Sequence, residues 1–155
     1  MTFNMKSFSI FTLVLSLSSF SVAFGEDHQH SASPIPNAAL VTVPENASVF
    51  FMNLKNGQKI KTGFLVQFGV KNVKIHPAGE VIAGTGHHHL IIDSDAPTQG
   101  AVIPADATHI HFGKGQTEYK LDLKPGLHKL TLQFANGAHV SYGPALRAQV
   151  EVIVE

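Results

Sequence analysis

The chain has no cysteine and no tryptophan among its 155 residues, and only three methionines. Without cysteine there is no disulfide, no Cys-ligated zinc, no thiol chemistry and no lipid-modified cysteine at an export cleavage site. Any domain must therefore rest on its hydrophobic core. Eleven Lys and Arg balance eleven Asp and Glu, so there is no basic stripe of the kind that neutralises nucleic-acid phosphates. Apolar residues at helical spacing over a useful length are also missing. Activated-nucleophile patterns are absent too, and Gly113-Lys114-Gly115 is too short for a phosphate loop.

The N-terminus has its own texture. Lys6 precedes an apolar run from Phe8 to Leu17, and small residues lead to Ala23-Phe24-Gly25. That is the layout of a secretory signal peptide. Ser9, Thr12 and Ser16 interrupt the run, which falls short of the ~20 apolar residues of a spanning helix. We read residues 1–25 as a signal peptide that leaves no membrane anchor after cleavage. A mature chain from Glu26 is then expected in the periplasm or secreted. Residues 26–44, with Pro34, Pro36 and Pro44, read as a flexible linker, and residues 45–155 as the domain.

That domain reads as short strands separated by turn signals. Ser48–Leu54 is rich in Val and Phe and ends at Asn56-Gly57. Phe64, Val66, Phe68 and Val70 alternate with Leu65, Gln67 and Gly69, a period of two with one buried face. Val73–Ala83 reads as a loop, Leu90–Ile92 as a central strand, and Asp93–Thr108 as a long polar connection. Alternation returns at Thr117–Leu123 and at His128–Phe134, the second ending at Asn136-Gly137. Ala138–Tyr142 continues it and Ala148–Val154 closes the chain. About seven such strands predict an all-β, antiparallel immunoglobulin-like β-sandwich. The Cys and Trp marks of antibody domains are missing, so the expectation is architectural.

Five of the ten histidines fall in two short segments, Gly86-His87-His88-His89-Leu90 and His109-Ile110-His111-Phe112-Gly113. Side chains alternate along a strand, so His87 and His89 share one face, His88 takes the other, and His109 and His111 share a face. Same-face positions are ~6.6 Å apart, close enough for paired imidazoles to converge on one ion. Imidazole is a common ligand for late first-row metals. His87, His89, His109 and His111 are therefore the expected metal ligands, for Zn(II) or Cu(II). Met52 is the only methionine left after cleavage, and this argues against the histidine–methionine donor sets usual for Cu(I). His88, His128 and His139 form a second tier. His128 has the parity of Leu130 and Leu132 and would point inward from a strand start, as a core-edge or supporting histidine. His28 and His30 sit in the linker and read as solvated polar sequence.

The stretches GTGHHHLIID (84–93), IPAD (103–106), HFGKGQTE (111–118) and LKPGLHKLTLQF (123–134) resemble a bacterial exported family known as domain of unknown function 4399. His76–Gly79, and His139 followed by Pro144, fit it as well, whereas Ala145–Ala148 departs from its ending. The resemblance implies a compact β domain outside the cytoplasm and no established activity. The expected function is a periplasmic transition-metal carrier, buffer or sensor module whose partner is a metal ion. The alternative is a metal-free structural or interaction domain that meets a cell-envelope protein. A metal-dependent enzyme ranks third, because the chain offers ligands but no evident acid, base or nucleophile.

Overall fold

The structure, a computed structural model, describes residues 42–155. The expected signal peptide, nearly all of the linker, and His28 and His30 lie outside the described residues. Nine strands follow in order: β1 Ser48–Phe51, β2 Gln58–Ile60, β3 Phe64–Lys71, β4 Lys74–Ile75, β5 Thr85–Ile92, β6 His109–His111, β7 Glu118–Leu121, β8 Gly126–Ala135 and β9 Arg147–Val154. A 3-10 turn, Gly143–Leu146, leads into β9. The described residues are all-β, as the alternation required.

Two sheets form. One is antiparallel, in the order β1-β3-β7. The other runs β2-β9-β8-β5-β4, with β6 also paired to β5. β4 lies beside Thr85 and Gly86, and β6 beside His89–Ile91, so these two short strands follow one another along one edge of β5. The expectation of wholly antiparallel strands needs correction, because β2 pairs with β9, and β4 with β5, in parallel. Both are pieces of two or three residues, too short to show a period, and β4 arises inside the expected loop Val73–Ala83. Ala138–Tyr142 forms no strand. It makes isolated bridges only, Val140 to Val102 and Ser141 to Ala135.

The two sheets share one core. Val66 and Phe68 from β3 belong to the same buried cluster as Leu130, Leu132 and Phe134 from β8, and Phe64 packs against its margin. The buried faces of β3 and β8 are those that their alternation predicts. Register carries the core side across the larger sheet, placing His88 opposite Phe134, Leu90 opposite Leu132, and Leu132 opposite Ala148. Burying these side chains, at roughly 1.5–3 kcal/mol for each large one, is what holds a cysteine-free domain together.

The other face of that sheet is buried as well where β5 meets the end of β8. His87, His89, Ile91, Gln133 and Ala135 on it are fully enclosed. The polar connection after β5 lies against the segment after β8. Ile103 N–H donates to His139 O, Gly100 N–H to Ser141 O, and Arg147 Nη2 to Pro97 O. A strand with both faces buried reads as continuously apolar. β5 does so at Leu90–Ile92, and its other buried positions are Gly86 and three histidines.

Candidate metal centre

The site starts from a close approach of two strands. Gly86 lies where a Cβ would come within 2.1 Å of Ala135 O, so only glycine lets β5 and β8 close up beside His87. His87 then stands opposite Ala135, and His89 opposite Gln133 on one side and His111 on the other. After β8, Asn136 accepts hydrogen bonds at Oδ1 from Ala138 N–H and Val140 N–H. This turn carries His139 at a φ of 64° and aims it back over the histidine face. Asn and His are among the residues that tolerate such a conformation best.

Four imidazoles meet there. Nε2 of His87 lies 3.1 Å from Nε2 of His89 and 3.2 Å from Nε2 of His111, whose Nε2 is 3.1 Å from that of His139. These separations approach the ~3.3 Å edge of a tetrahedron of nitrogens held ~2.0–2.1 Å from a central ion. The His87, His89 and His111 donors all fall within 4.8 Å of one another and could hold a metal ion. His139 stands farther out, its ring 4.7 Å from that of His111 but 6.0 Å from that of His89. His87 and His89 form a buried floor, and His111 and His139 a half-buried mouth.

Hydrogen bonding among the imidazoles accounts for only part of this arrangement. A neutral Nε2 offers either one proton or one lone pair in the ring plane. The three contacts along His89, His87, His111 and His139 share four nitrogens, so two good hydrogen bonds are the most they can make. The third contact then brings together two nitrogens whose proton and lone pair are already engaged. Protonating the cluster is no remedy. Burial, and then the neighbouring His111 and His139, push His87 down to about 4. Burial first, and the surrounding histidines after it, push His89 down to about 2. Burial and His139 lower His111. All three are neutral at pH 7, the form that ligates a metal.

The remaining sequence-predicted residues are placed elsewhere. His109 shares the face of His111 but lies opposite Ile91, and its Nδ1 is 2.9 Å from Asp106 Oδ1. His88 points into the core, with ring centroids 5.4 Å from Phe68 and 5.2 Å from Phe134. Both its nitrogens are buried and unpartnered, so it is remote in direction from the cluster. His128 is bound on both sides, Nδ1 to Asp93 Oδ2 at 2.6 Å and Nε2 to Lys124 O at 2.8 Å. His76 Nδ1 lies 3.0 Å from Pro77 O.

Two features of the site escaped the sequence reading. His139 ranked only in the second tier, although the turn signal at Asn136-Gly137 one strand away from His87 could have raised it. Gly113 is the other. A Cβ there would lie 2.3 Å from Cε1 and 2.5 Å from Nε2 of His111, so its missing side chain is the space that the His111 ring occupies.

No curated protein matches the chain. Among solved structures, the endo-beta-1,4-mannanase from Thermotoga petrophila resembles it with a TM-score of 0.42 and 15% identity, over 70% of this chain and 20% of that one. Residues 66–155 match the family described as Domain of unknown function (DUF4399). This span contains every histidine of the cluster, and the chain belongs to that family.

Proposed function

We propose that the protein is an exported transition-metal-binding module, a carrier, buffer or sensor rather than a catalyst. The observation that carries the reading is the convergence of His87, His89 and His111 through Nε2 on one locus, with His139 beside them. A bound cation takes a lone pair from each nitrogen, and so accounts for the close contact that two hydrogen bonds leave unused. Donor type alone suits Zn(II) or Cu(II). The signal-peptide layout of residues 1–25 supports a periplasmic or secreted location. The core shared by the two sheets supports an immunoglobulin-like sandwich as scaffold.

The test is calorimetric titration of protein prepared without a histidine tag. One ion per chain is expected for wild type, and none for His111→Ala with its fold intact by circular dichroism. Equal, weak uptake by both proteins would sink the reading. The cluster would then be a metal-free recognition surface, facing another envelope component.

A further inference from the structure

We infer that the histidine centre selects its ion by charge, favouring copper(I) over copper(II) and zinc(II), and that Arg147 sets part of that preference. The inference rests on the metal-binding reading above and names the ion's valence. Donor softness alone points to divalent ions. Burial and the local field point the other way.

The donors are uncharged, and among the described residues no carboxylate is paired with His87, His89, His111 or His139. The Nε2 contacts of His87, His89 and His111 are all to other histidines. Metal-bound histidines ordinarily donate their second nitrogen to a carboxylate or carbonyl. Here Nδ1 of His87 and Nδ1 of His89 are buried without any hydrogen-bond partner. The Asp106 carboxylate is engaged by His109, and Glu80, whose backbone touches Gly137, has an exposed side chain. The cost of enclosing an ion rises with the square of its charge, so a divalent ion suffers about four times the penalty of a monovalent one.

Arg147 adds to the same field. Register runs from His89 to Gln133 to Arg147 across β5, β8 and β9 on one face. At a strand spacing of ~4.8 Å the two end positions are ~10 Å apart. The part-buried guanidinium donates through Nε to Gln133 Oε1 and through Nη2 to Pro97 O. No ion pair with a carboxylate includes it among the described residues. Its repulsion of a divalent ion is twice that of a monovalent one.

Coordination geometry agrees. Copper(II) prefers a tetragonal set of donors, whereas the nitrogen separations here approach those of a tetrahedral set. Copper(I), with a filled d shell, has no such preference and accepts three nitrogens.

The experiment compares affinities in tag-free protein. Copper(I) is titrated anaerobically against a colorimetric copper(I) chelator, and copper(II) and zinc(II) are titrated in separate runs. Copper(I) is expected to bind tighter than either by roughly a hundredfold, as an electrostatic effect of this kind implies. Arg147→Gln should narrow that gap and Arg147→Lys should keep it. Ala138→Asp, an exposed change beside His139, should narrow it too and remains usable if Arg147→Gln fails to fold. Equal or tighter divalent binding overturns the charge selection and leaves the metal-binding reading standing. Failure of every ion to bind stoichiometrically overturns both. A gap unmoved by Arg147→Gln and by Ala138→Asp also overturns selection by the local field.

Discussion

His89 stands directly opposite His111 across the β5–β6 ladder, which leaves His109 opposite Ile91. The pairing brings one imidazole of the second segment onto the cluster and leaves the other two positions along the strand, held by Asp106. Alanine at His87, His89 or His111 should therefore abolish stoichiometric ion binding. His109→Ala should leave it nearly unchanged. His139→Ala should weaken it by roughly 10–100-fold, the scale typical of a supporting group. Calorimetry on the five variants separates these outcomes, and a His109→Ala loss equal to that of His111→Ala would refute the assignment.

Gly113→Ala tests the space behind His111. The new methyl would overlap that ring, and a side chain can swing away at small cost to stability. Ion affinity should fall at least about tenfold while the melting temperature moves by only a few degrees. A large loss of stability with affinity retained would mean that the methyl is accommodated by the backbone instead.

The faces of β3 can be weighed by truncation. Phe68 is buried in the core and touches His88, Phe51 and Phe112. Phe68→Ala should cost about 3–5 kcal/mol, the usual range for a buried phenylalanine. Gln67→Ala, on the opposite face, should cost about 0.5 kcal/mol or less. Urea unfolding would show both, and similar losses would mean the faces are misread.

His88 makes the ion-free protein sensitive to acid. Burial first, and His87 second, lower it from 6.5 to about 4. The unfolded chain therefore binds a proton that the folded chain refuses between those values. The stabilisation from neutral His88 is complete above 6.5 and is lost as pH falls toward about 4, up to roughly 3 kcal/mol. His87 and His89 act in the same direction. His88→Leu, between Phe68 and Phe134, should flatten part of that slope in urea midpoints measured from pH 4 to 7. An unchanged slope would count against it.

His128 works with the opposite sign. Burial lowers its pKa, but its bonds to Asp93 and Lys124 O and the charge of Asp93 outweigh this, so the net shift is upward. Its contribution is fully present below 6.5 and disappears as pH rises through the folded value. Asp93→Asn should remove that component. Chemical-shift titration of His128 in both proteins would check it, with a lower midpoint expected in the variant.

Period-two alternation at Phe64–Val70 and His128–Phe134 was sufficient to name the core faces, because one-sided burial writes itself into every second residue. The same parity separates His88 from His87 and His89 within one segment. Gly86 and Gly113 stand beside the histidine segments, but what each leaves room for, the Ala135 carbonyl and the His111 ring, is set by tertiary contacts. Parity, however, says only which face a residue takes. It could not choose between His109 and His111, since that depends on the step at which β6 pairs with β5, a relation between segments some twenty positions apart. Nor could it recruit His139, whose place depends on a turn held by Asn136 and on the polar connection folding over the outer face. The sequence by itself determined the longer strands, their inner faces and the histidine-rich segments, all local consequences of burial. Register, the parallel edge strands and the final set of converging nitrogens were decided by tertiary pairing, because each depends on contacts between residues far apart in the chain.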